Sequence, residues 1–304
     1  MTEAAPSRLP CRRVCYSAAV KPAPFAYRRP ATLPEAVTLL AEFAPQDGHV
    51  LAGGQSLVPM MNFRLARPGC LIDINAIEGL DRLAAQDGAL RIGARVRHAA
   101  FERRVEAGPL GGMLALVARH IGHYPIRVRG TFCGSLAHAD PAAEWCLVAA
   151  TLDAEMIAVG TDGERRIAAC DFFQGAMATA LEASELLAEA RLPILPPCTT
   201  FGFAEFSRRT GDFGMAMALA VLEMDGDVIA SPRLGIGGAE PVPRRIEAAE
   251  TVLRGAKPGE ALFRAAAEAA AAAIDPMEDH DTDAMYRREL VEAMAYRALM
   301  QACA

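Results

Sequence analysis

The spacing of apolar residues predicts alternating helices and strands in the first half of the chain. Apolar positions recur every three to four residues from Leu33 to Ala44, behind a capping box formed by Thr32 and Glu35. This pattern predicts a helix over residues 33–44. A short apolar segment at residues 49–52 then predicts a buried strand that leads directly into a glycine-rich loop.

Another apolar segment, residues 70–74, predicts a second buried strand, with Asp73 inside it. A buried carboxylate needs a partner. Asp73 therefore either holds a loop backbone or contacts a ligand hydroxyl, and the sequence alone leaves both roles open.

In the later segments the spacing of apolar residues changes. Alternation predicts a half-exposed strand at residues 90–97 and a hairpin over residues 155–168, and helical spacing predicts a helix at residues 113–121. The remaining predicted elements are strands at 186–192, 201–208, 215–224 and 228–237, and helices at 244–253, 260–273 and 284–302. Strands followed by helices are typical of an α+β domain, so we expect one at residues 198–304, after a first domain at 21–197.

Two glycine-bearing loops stand out as candidate phosphate sites, because each combines unobstructed backbone amides with a hydroxyl group. The first loop and its flanks are Leu51, Ala52, Gly53, Gly54, Gln55, Ser56, Leu57 and Val58. The second comprises Gly130 followed by Thr131, Phe132, Cys133, Gly134 and Ser135. Since each lies close to an apolar segment, the two loops suggest opposite sides of one dinucleotide site.

After the second loop, Asp140 and Pro141 predict a helix over residues 141–151 with Asp140 as its N-cap. The positive end of that helix would point toward the second loop. Glu144 in its first turn is either a favourable charge at a helix N-terminus or an acceptor for a ribose or ring hydrogen bond.

Composition excludes several classes of protein. The chain has 304 residues and a net charge of −6, and its arginines are dispersed, which argues against nucleic-acid binding. Its eight cysteines form no zinc or iron–sulfur pattern, and no apolar segment reaches membrane-spanning length. These features predict a reduced, cytoplasmic protein without a membrane span. Residues 1–20 lack a secretory signal pattern and are predicted to be a disordered extension.

Common catalytic signatures are missing from the sequence, including the nucleophile elbow, the Walker A loop and the dinucleotide fingerprint. His120 and His123 lack a third metal ligand nearby, which favours structural roles. His138 either stabilises its loop, attaches a flavin or acts as an acid or base. Cys133 is interpreted as a spacer, because no resolving cysteine lies near it.

Several motifs carry a family resemblance. The segments Ala52-Gly53-Gly54-Gln55-Ser56-Leu57 and Arg129-Gly130-Thr131, continued by Gly134-Ser135-Leu136-Ala137-His138-Ala139-Asp140-Pro141, resemble the two flavin loops of the molybdenum hydroxylases. The likeness is to their FAD-binding medium subunit, as in aerobic carbon monoxide dehydrogenase and the flavin domain of xanthine dehydrogenase. A third similarity is Arg208-Arg209-x-Gly211-Asp212-Phe213, and the resemblance covers residues 22–302.

The resemblance implies an α+β chain: a PCMH-type FAD-binding fold of two α/β subdomains, about 21–75 and 76–197, followed by a C-terminal domain with an antiparallel sheet and helices. It implies noncovalent FAD held by residues 51–58 and 131–135, with further contacts from Ile121, His138, Asp140, Glu144, Leu187 and Asp212. Cys133 replaces a common glycine and would place a side chain near the phosphates. Ala204 replaces a lysine of some relatives.

The resemblance also implies partners. A large subunit would carry molybdopterin and the substrate pocket, a small subunit would carry [2Fe–2S] clusters, and the assembly would be a dimer of heterotrimers. This chain would take electrons from the iron–sulfur subunit and pass them to an external acceptor. The alternatives are a self-sufficient flavin oxidase or reductase, for which the C-terminal domain offers no obvious acid–base set, and a flavin-free assembly subunit, against which the intact glycine loops argue.

Overall fold

The computed structural model describes residues 21–280 and 282–304 and contains three sheets of three or more strands, each with helices packed beside it. The predicted extension at residues 1–20 lies outside the described residues. Helices alternate with one parallel sheet and larger antiparallel sheets, which confirms the predicted α+β class.

The first sheet is parallel and has the strand order β1-β3-β2. Its elements are β1 (Ala26–Arg28), α1 (Leu33–Phe43), β2 (Gly48–Leu51), α2 (Leu57–Asn62) and β3 (Cys70–Asp73). The Thr32 side chain caps α1 by accepting a hydrogen bond from the Glu35 amide, as the capping box predicts. Because β2 and β3 are parallel, Leu51 pairs with Asp73 and both strands end at the same edge, where the first glycine loop begins.

The second sheet has the order β4-β5-β10-β6-β7, and all its pairings are antiparallel. The elements of this region are β4 (Leu83–Gln86), β5 (Ala89–Gly93), α3 (Pro109–Ala118), α4 (Tyr124–Arg127), α5 (Phe132–His138), α6 (Glu144–Thr151), β6 (Glu155–Gly160), β7 (Gly163–Ala168), α7 (Ala169–Phe172), β8 (Phe173–Gly175), β9 (Ala178–Thr179) and β10 (Leu186–Pro193). Within the described part of the chain, the short β8 and β9 pair only with each other. The central strand, β10, is therefore the last of the five in sequence.

The third sheet is an antiparallel meander with three helices after it. Its elements are β11 (Thr199–Phe206), β12 (Ala216–Asp225), β13 (Val228–Gly237), β14 (Arg244–Arg245), α8 (Glu247–Leu253), α9 (Glu260–Ala273) and α10 (Ala284–Ala302).

Strand β12 is buried on both faces. Met217, Leu219 and Val221 belong to the core that fills the first two sheets. Ala218 and Ala220, in the alternate positions, belong to a second core beneath α8, α9 and α10. Side chains of a strand alternate between its faces, so this one strand joins the two cores without a polar layer between them.

Three local predictions are wrong. The helix predicted over 141–151 begins only at Glu144, because the Asp140 carboxylate accepts the Ala142 amide at 2.9 Å and closes a turn instead of capping a helix. The strand predicted over 90–97 ends at Gly93. The helix predicted from residue 244 is preceded by β14 and begins at Glu247.

Candidate functional site

The first glycine loop presents a row of free amides. Strand β2 ends at Leu51, α2 begins at Leu57, and the chain turns between them with Gly54 in the left-handed region at φ +69°. Within residues 21–280 and 282–304, the N–H groups of Gly53 through Ser56 donate to no other protein group. Successive free amides at the carboxyl edge of a parallel sheet suit a phosphate anion.

The two glycine loops touch each other at Gly53. A Cβ atom at this position would lie 2.5 Å from the Arg129 carbonyl oxygen and 2.7 Å from Gly130 Cα. Real Cβ atoms do not approach backbone so closely, so only glycine allows the first loop to lie against the second. The structure therefore brings together the two loops that the sequence singled out.

The second loop is the first turn of helix α5, which the sequence analysis did not predict. The Thr131 hydroxyl accepts the Gly134 amide at 3.1 Å and caps the helix. The Phe132 amide donates to the Val96 carbonyl, and the Ser135 amide donates to the Thr131 carbonyl. Most amides of this loop are thus already engaged within the protein.

A polar network holds the first loop from behind. Asn75 Nδ2 donates to the Ala52 carbonyl at 2.8 Å and to Asp73 Oδ1 at 2.6 Å. Arg97 donates from Nη2 to Asn75 Oδ1 at 2.6 Å and from Nη1 to the Arg129 carbonyl. Arg97 therefore ties the carbonyl immediately before the second loop to the side chain that holds the first.

Asp73 anchors this network. Tyr27 donates its hydroxyl to the Asp73 carboxylate, and the Asn75 amide donates to Oδ1 at 2.9 Å. Burial alone would raise the pKa of Asp73, but the hydrogen bonds from Tyr27 and Asn75 hold it below its usual value. Of the two roles considered for Asp73, the structure shows the one that supports a loop backbone.

His98 lies beneath the second loop as a neutral ring. A Cβ atom on Gly130 would lie 2.4 Å from His98 Nε2, and Trp145 Nε1 donates to His98 Nδ1 at 2.9 Å. Burial, with help from the charge of Arg97, lowers the pKa of His98 to about 4. At neutral pH the second loop therefore packs on an uncharged imidazole ring.

The side chains of Phe132 and Cys133 point into the core. Phe132 packs against Trp145 with ring centroids 5.0 Å apart. Cys133 Sγ donates to the Ile92 carbonyl at 3.4 Å, and burial strongly raises the pKa of its thiol. The expectation that Cys133 places a side chain beside the phosphates is therefore wrong, and only its backbone faces the loop.

Glu144 and Glu205 are distant in the sequence but interact electrostatically. Burial, followed by the nearby charge of Glu205, raises the pKa of Glu144 to about 8. Burial raises the pKa of Glu205 on β11 to about 7. Glu144 is the acidic residue in the first turn of α6, as predicted, and its contact with a ligand stays a prediction.

Asp140 and Asp212 line the same cavity of about 570 Å³, between the turn after α5 and the loop that joins β11 to β12. Arg208, Arg209 and Arg287 also line this cavity. The third sequence motif, residues 208–213, is thus placed beside the turn that follows α5.

Comparison with known proteins identifies the family. Residues 23–195 match the model of the FAD binding domain in molybdopterin dehydrogenase, and residues 201–302 match the CO dehydrogenase flavoprotein C-terminal domain. The chain belongs to the FAD-binding medium subunits of the molybdenum hydroxylases.

Individual relatives align along nearly the whole chain. The nicotine 6-hydroxylase medium subunit of Paenarthrobacter nicotinovorans is 37% identical over 91% of this chain and 96% of that protein. The carbon monoxide dehydrogenase medium chain of Hydrogenophaga pseudoflava is 33% identical, over 93% of this chain and 98% of that one.

Solved structures agree with this assignment. Carbon monoxide dehydrogenase from Hydrogenophaga pseudoflava superposes with a TM-score of 0.88 at 34% identity, covering 93% of this chain and 98% of that one. Quinoline 2-oxidoreductase from Pseudomonas putida 86 superposes with a TM-score of 0.86 at 35% identity, with the same coverage. The chain is therefore an oxidoreductase subunit with an FAD-binding domain.

The residues of this medium subunit fit the pyrophosphate of FAD. The free amides of Gly53–Ser56 supply donors for its negative charge, and Gly53 leaves no side chain between the two loops. Ile121 follows α3, Leu187 lies buried on β10, and His138 ends α5. Their contacts with FAD stay predictions.

In the described ranges no helix is both long and apolar enough to cross a bilayer, and no group of His, Cys, Asp and Glu could hold a metal ion.

Several residues of the site escaped the sequence analysis, among them Tyr27, Asn75, Arg97, His98 and Glu205. Asn75 and Arg97 are separated by 22 residues, and Arg97 lies 32 residues from Arg129. The alternation around residue 97 was the only local signal, and it indicates exposure on a strand rather than a tie between loops.

Proposed function

We propose that this medium subunit binds FAD noncovalently and transfers electrons from a [2Fe–2S] partner subunit to an external acceptor. The observation that carries the proposal is the contact between the two glycine loops, with the free amides of Gly53–Ser56 beside it. Bound FAD supplies the redox chemistry by accepting and releasing electrons.

Residues of the chain then bind and orient the cofactor. The amides of residues 53–56 hold the pyrophosphate, and the Thr131 hydroxyl, which already accepts from Gly134, keeps its proton to donate. Arg97 and Asn75 fix the distance between the loops, because they bond a carbonyl on each side. Contacts from Ile121, His138, Asp140, Glu144, Leu187 and Asp212 complete the proposed site.

The proposal includes a large molybdopterin subunit and a small [2Fe–2S] subunit, assembled as a dimer of heterotrimers. It is supported by relatives whose names describe them as medium subunits or chains of larger enzymes. We also propose domains at residues 21–197 and 198–304, with subdomains near 21–75 and 76–197. One family match ends at residue 195 and the next begins at residue 201, which supports the boundary between residues 197 and 198.

The visible absorption spectrum of the purified chain tests this function. We expect flavin absorption bands, and we expect acid denaturation to release the colour into the supernatant as FAD. Colour that stays with the precipitated protein would instead indicate covalent flavin and favour a self-sufficient oxidase, with His138 as the first attachment site to test.

A colourless chain that fails to bind added FAD would overturn the proposal. If FAD is bound, co-purification with affinity-tagged chain from the native host tests the partners. We expect molybdenum and iron to co-purify in the complex. Isolation of the tagged chain alone, with FAD bound, would contradict the heterotrimer and leave FAD binding standing.

A further inference from the structure

The turn that follows helix α2 displays two large apolar side chains to solvent. Phe63 and Leu65 are each 76% exposed, the highest value among the large apolar residues in the described ranges. Between them Arg64 adopts the left-handed conformation at φ +58°, which is strained for a residue with a side chain. Such strain persists only where the surrounding structure maintains it, and it is concentrated at functional sites.

Hydrogen bonds hold this turn in place. The Leu65 amide donates to the Met60 carbonyl at 2.9 Å, and the Arg64 amide donates to the Met61 carbonyl at 3.0 Å. The Arg64 side chain donates from Nε to the Lys21 carbonyl at 3.1 Å. The two apolar side chains are therefore presented by an ordered backbone, and a partner that binds them does not have to order the turn first.

Further exposed apolar residues flank the contact between the two glycine loops. Val58, in the first turn of α2, follows the first loop, and Tyr124, Ile126 and Val128 precede the second. The segments 51–72 and 119–139 meet where Gly53 packs against the Arg129 carbonyl. Six of the 13 large apolar residues that are exposed in the described ranges lie in these two segments. A concentration of this kind is typical of an interaction surface.

The charges on the same two segments are all of one sign. Neither segment contains Asp or Glu, although the whole chain has 37 acidic residues against 31 Lys and Arg. Arg64, Arg67, Arg119 and Arg129 are exposed, and Arg127 is bonded to Glu102. Exposed apolar side chains among basic ones are complementary to a partner surface on which acidic residues surround an apolar patch.

We propose that the turn at Phe63–Leu65 docks the [2Fe–2S] partner subunit, with both apolar side chains inserted into an apolar patch that acidic residues surround. The inference rests on the proposed FAD function. The subunit that supplies the electrons has to bind close to FAD. Helix α2, which carries the turn, begins directly after the free amides of Gly53–Ser56 that are proposed to hold the pyrophosphate. A partner on this turn is therefore placed beside the cofactor.

The first test is photocrosslinking in the complex isolated from the native host. Phe63 or Leu65 of the affinity-tagged chain is replaced by p-benzoylphenylalanine, the purified complex is irradiated, and mass spectrometry identifies the chain that becomes attached. We expect attachment to the subunit that carries the iron–sulfur clusters. Attachment only to the molybdopterin subunit, or only to a second copy of this chain, would overturn the inference.

A double variant provides a second test that does not depend on the bulky photoreactive group. Phe63→Ser/Leu65→Ser removes both apolar side chains and adds no charge. We expect iron per FAD in the tagged preparation to fall about tenfold or more, because a few buried apolar residues dominate the affinity of an interface. The FAD affinity of the chain itself should stay as in wild type. Met285→Ser, at a residue that is 70% exposed on α10, is the matched control and should keep the wild-type iron content.

A double variant that keeps the wild-type iron content would overturn the inference. A basic turn with exposed apolar residues could also bind an anionic membrane. If the variant keeps its iron but no longer binds vesicles of equal parts phosphatidylglycerol and phosphatidylcholine, the turn belongs to a membrane surface and the inference is wrong. Wild-type chain that fails to bind FAD would instead overturn the proposed function, so the two failures are distinguishable.

Discussion

The two glycine loops share a composition but use their backbone differently. In the first loop, residues 53–56 direct no N–H group to another part of the described protein. In the second loop, the amides of Phe132, Gly134 and Ser135 are bonded to Val96, Thr131 Oγ1 and the Thr131 carbonyl. The first loop keeps its donors for a ligand, whereas the second uses most of them to begin a helix.

The supports of the two loops differ as well. The first is held through its carbonyl at Ala52 by the charged network of Asp73, Asn75 and Arg97. The second rests on neutral His98 and the aromatic side chains packed around Trp145. Similar glycine motifs can therefore either bind an anion through free amides or form the rigid backbone against which the anion-binding loop packs.

The largest expected effect comes from Gly53→Ala, which forces the loops apart because the new Cβ would lie 2.5 Å from the Arg129 carbonyl. Such overpacking costs about 1–3 kcal/mol, so we expect FAD affinity to fall about 10- to 100-fold. Fluorescence titration with FAD measures it. Gly259→Ala is the control, since that glycine has extended backbone and no atom within 4 Å of a new Cβ. Wild-type affinity in Gly53→Ala would show that contact between the loops is not required.

A smaller effect is expected from Arg97→Met, which removes the bonds to the Arg129 carbonyl and to Asn75 Oδ1. Hydrogen bonds from a charged group contribute about 1.5–3 kcal/mol, and only part of this reaches the ligand, so we expect FAD affinity to fall about tenfold. The same titration applies. Arg82→Met, at an exposed arginine that bonds Gln86, should leave the affinity unchanged. If Arg97→Met and Arg82→Met bind FAD equally well, the network around Arg97 supports folding rather than FAD binding by the first loop.

The smallest effect is expected from Thr131→Val, and it should appear in stability without any ligand. Loss of the hydroxyl that accepts the Gly134 amide removes a helix cap, which costs about 1 kcal/mol of the free energy of unfolding. Chemical denaturation of the FAD-free chain measures it, and Thr131→Ser, which keeps the hydroxyl, should retain most of the stability. If the Thr131→Val chain is as stable as wild type, the second loop does not depend on its hydroxyl cap. The proposed structural difference between the two loops would then be wrong.

Local patterns predicted much of the fold. The strand predicted at residues 228–237 matches β13 in both bounds, and Thr32 caps α1 as expected. Failures occurred where two local signals competed. Asp140 and Pro141 carry helix-start chemistry, but Ala139, the C-cap of α5, has φ +50°, and the Asp140 carboxylate accepts the Ala142 amide. Helix α5 itself was missed because Gly134 suggested a loop.

The site was predictable only as far as its parts are contiguous. Both glycine loops were found, since each keeps its chemistry within a few residues. Arg97 and Glu205 act on groups far away in the chain, on Arg129 in one case and Glu144 in the other. No spacing rule links such residues, and their roles depend on how three sheets pack.

The strand order of the second sheet has a consequence for synthesis of the protein. Strand β10 separates β5 from β6, yet it emerges from the ribosome after both. Until residue 193 is available, the hairpins β4–β5 and β6–β7 each keep an edge unpaired. We therefore expect the nascent chain to stay open to chaperones through most of translation, and to close the sheet in a single late step.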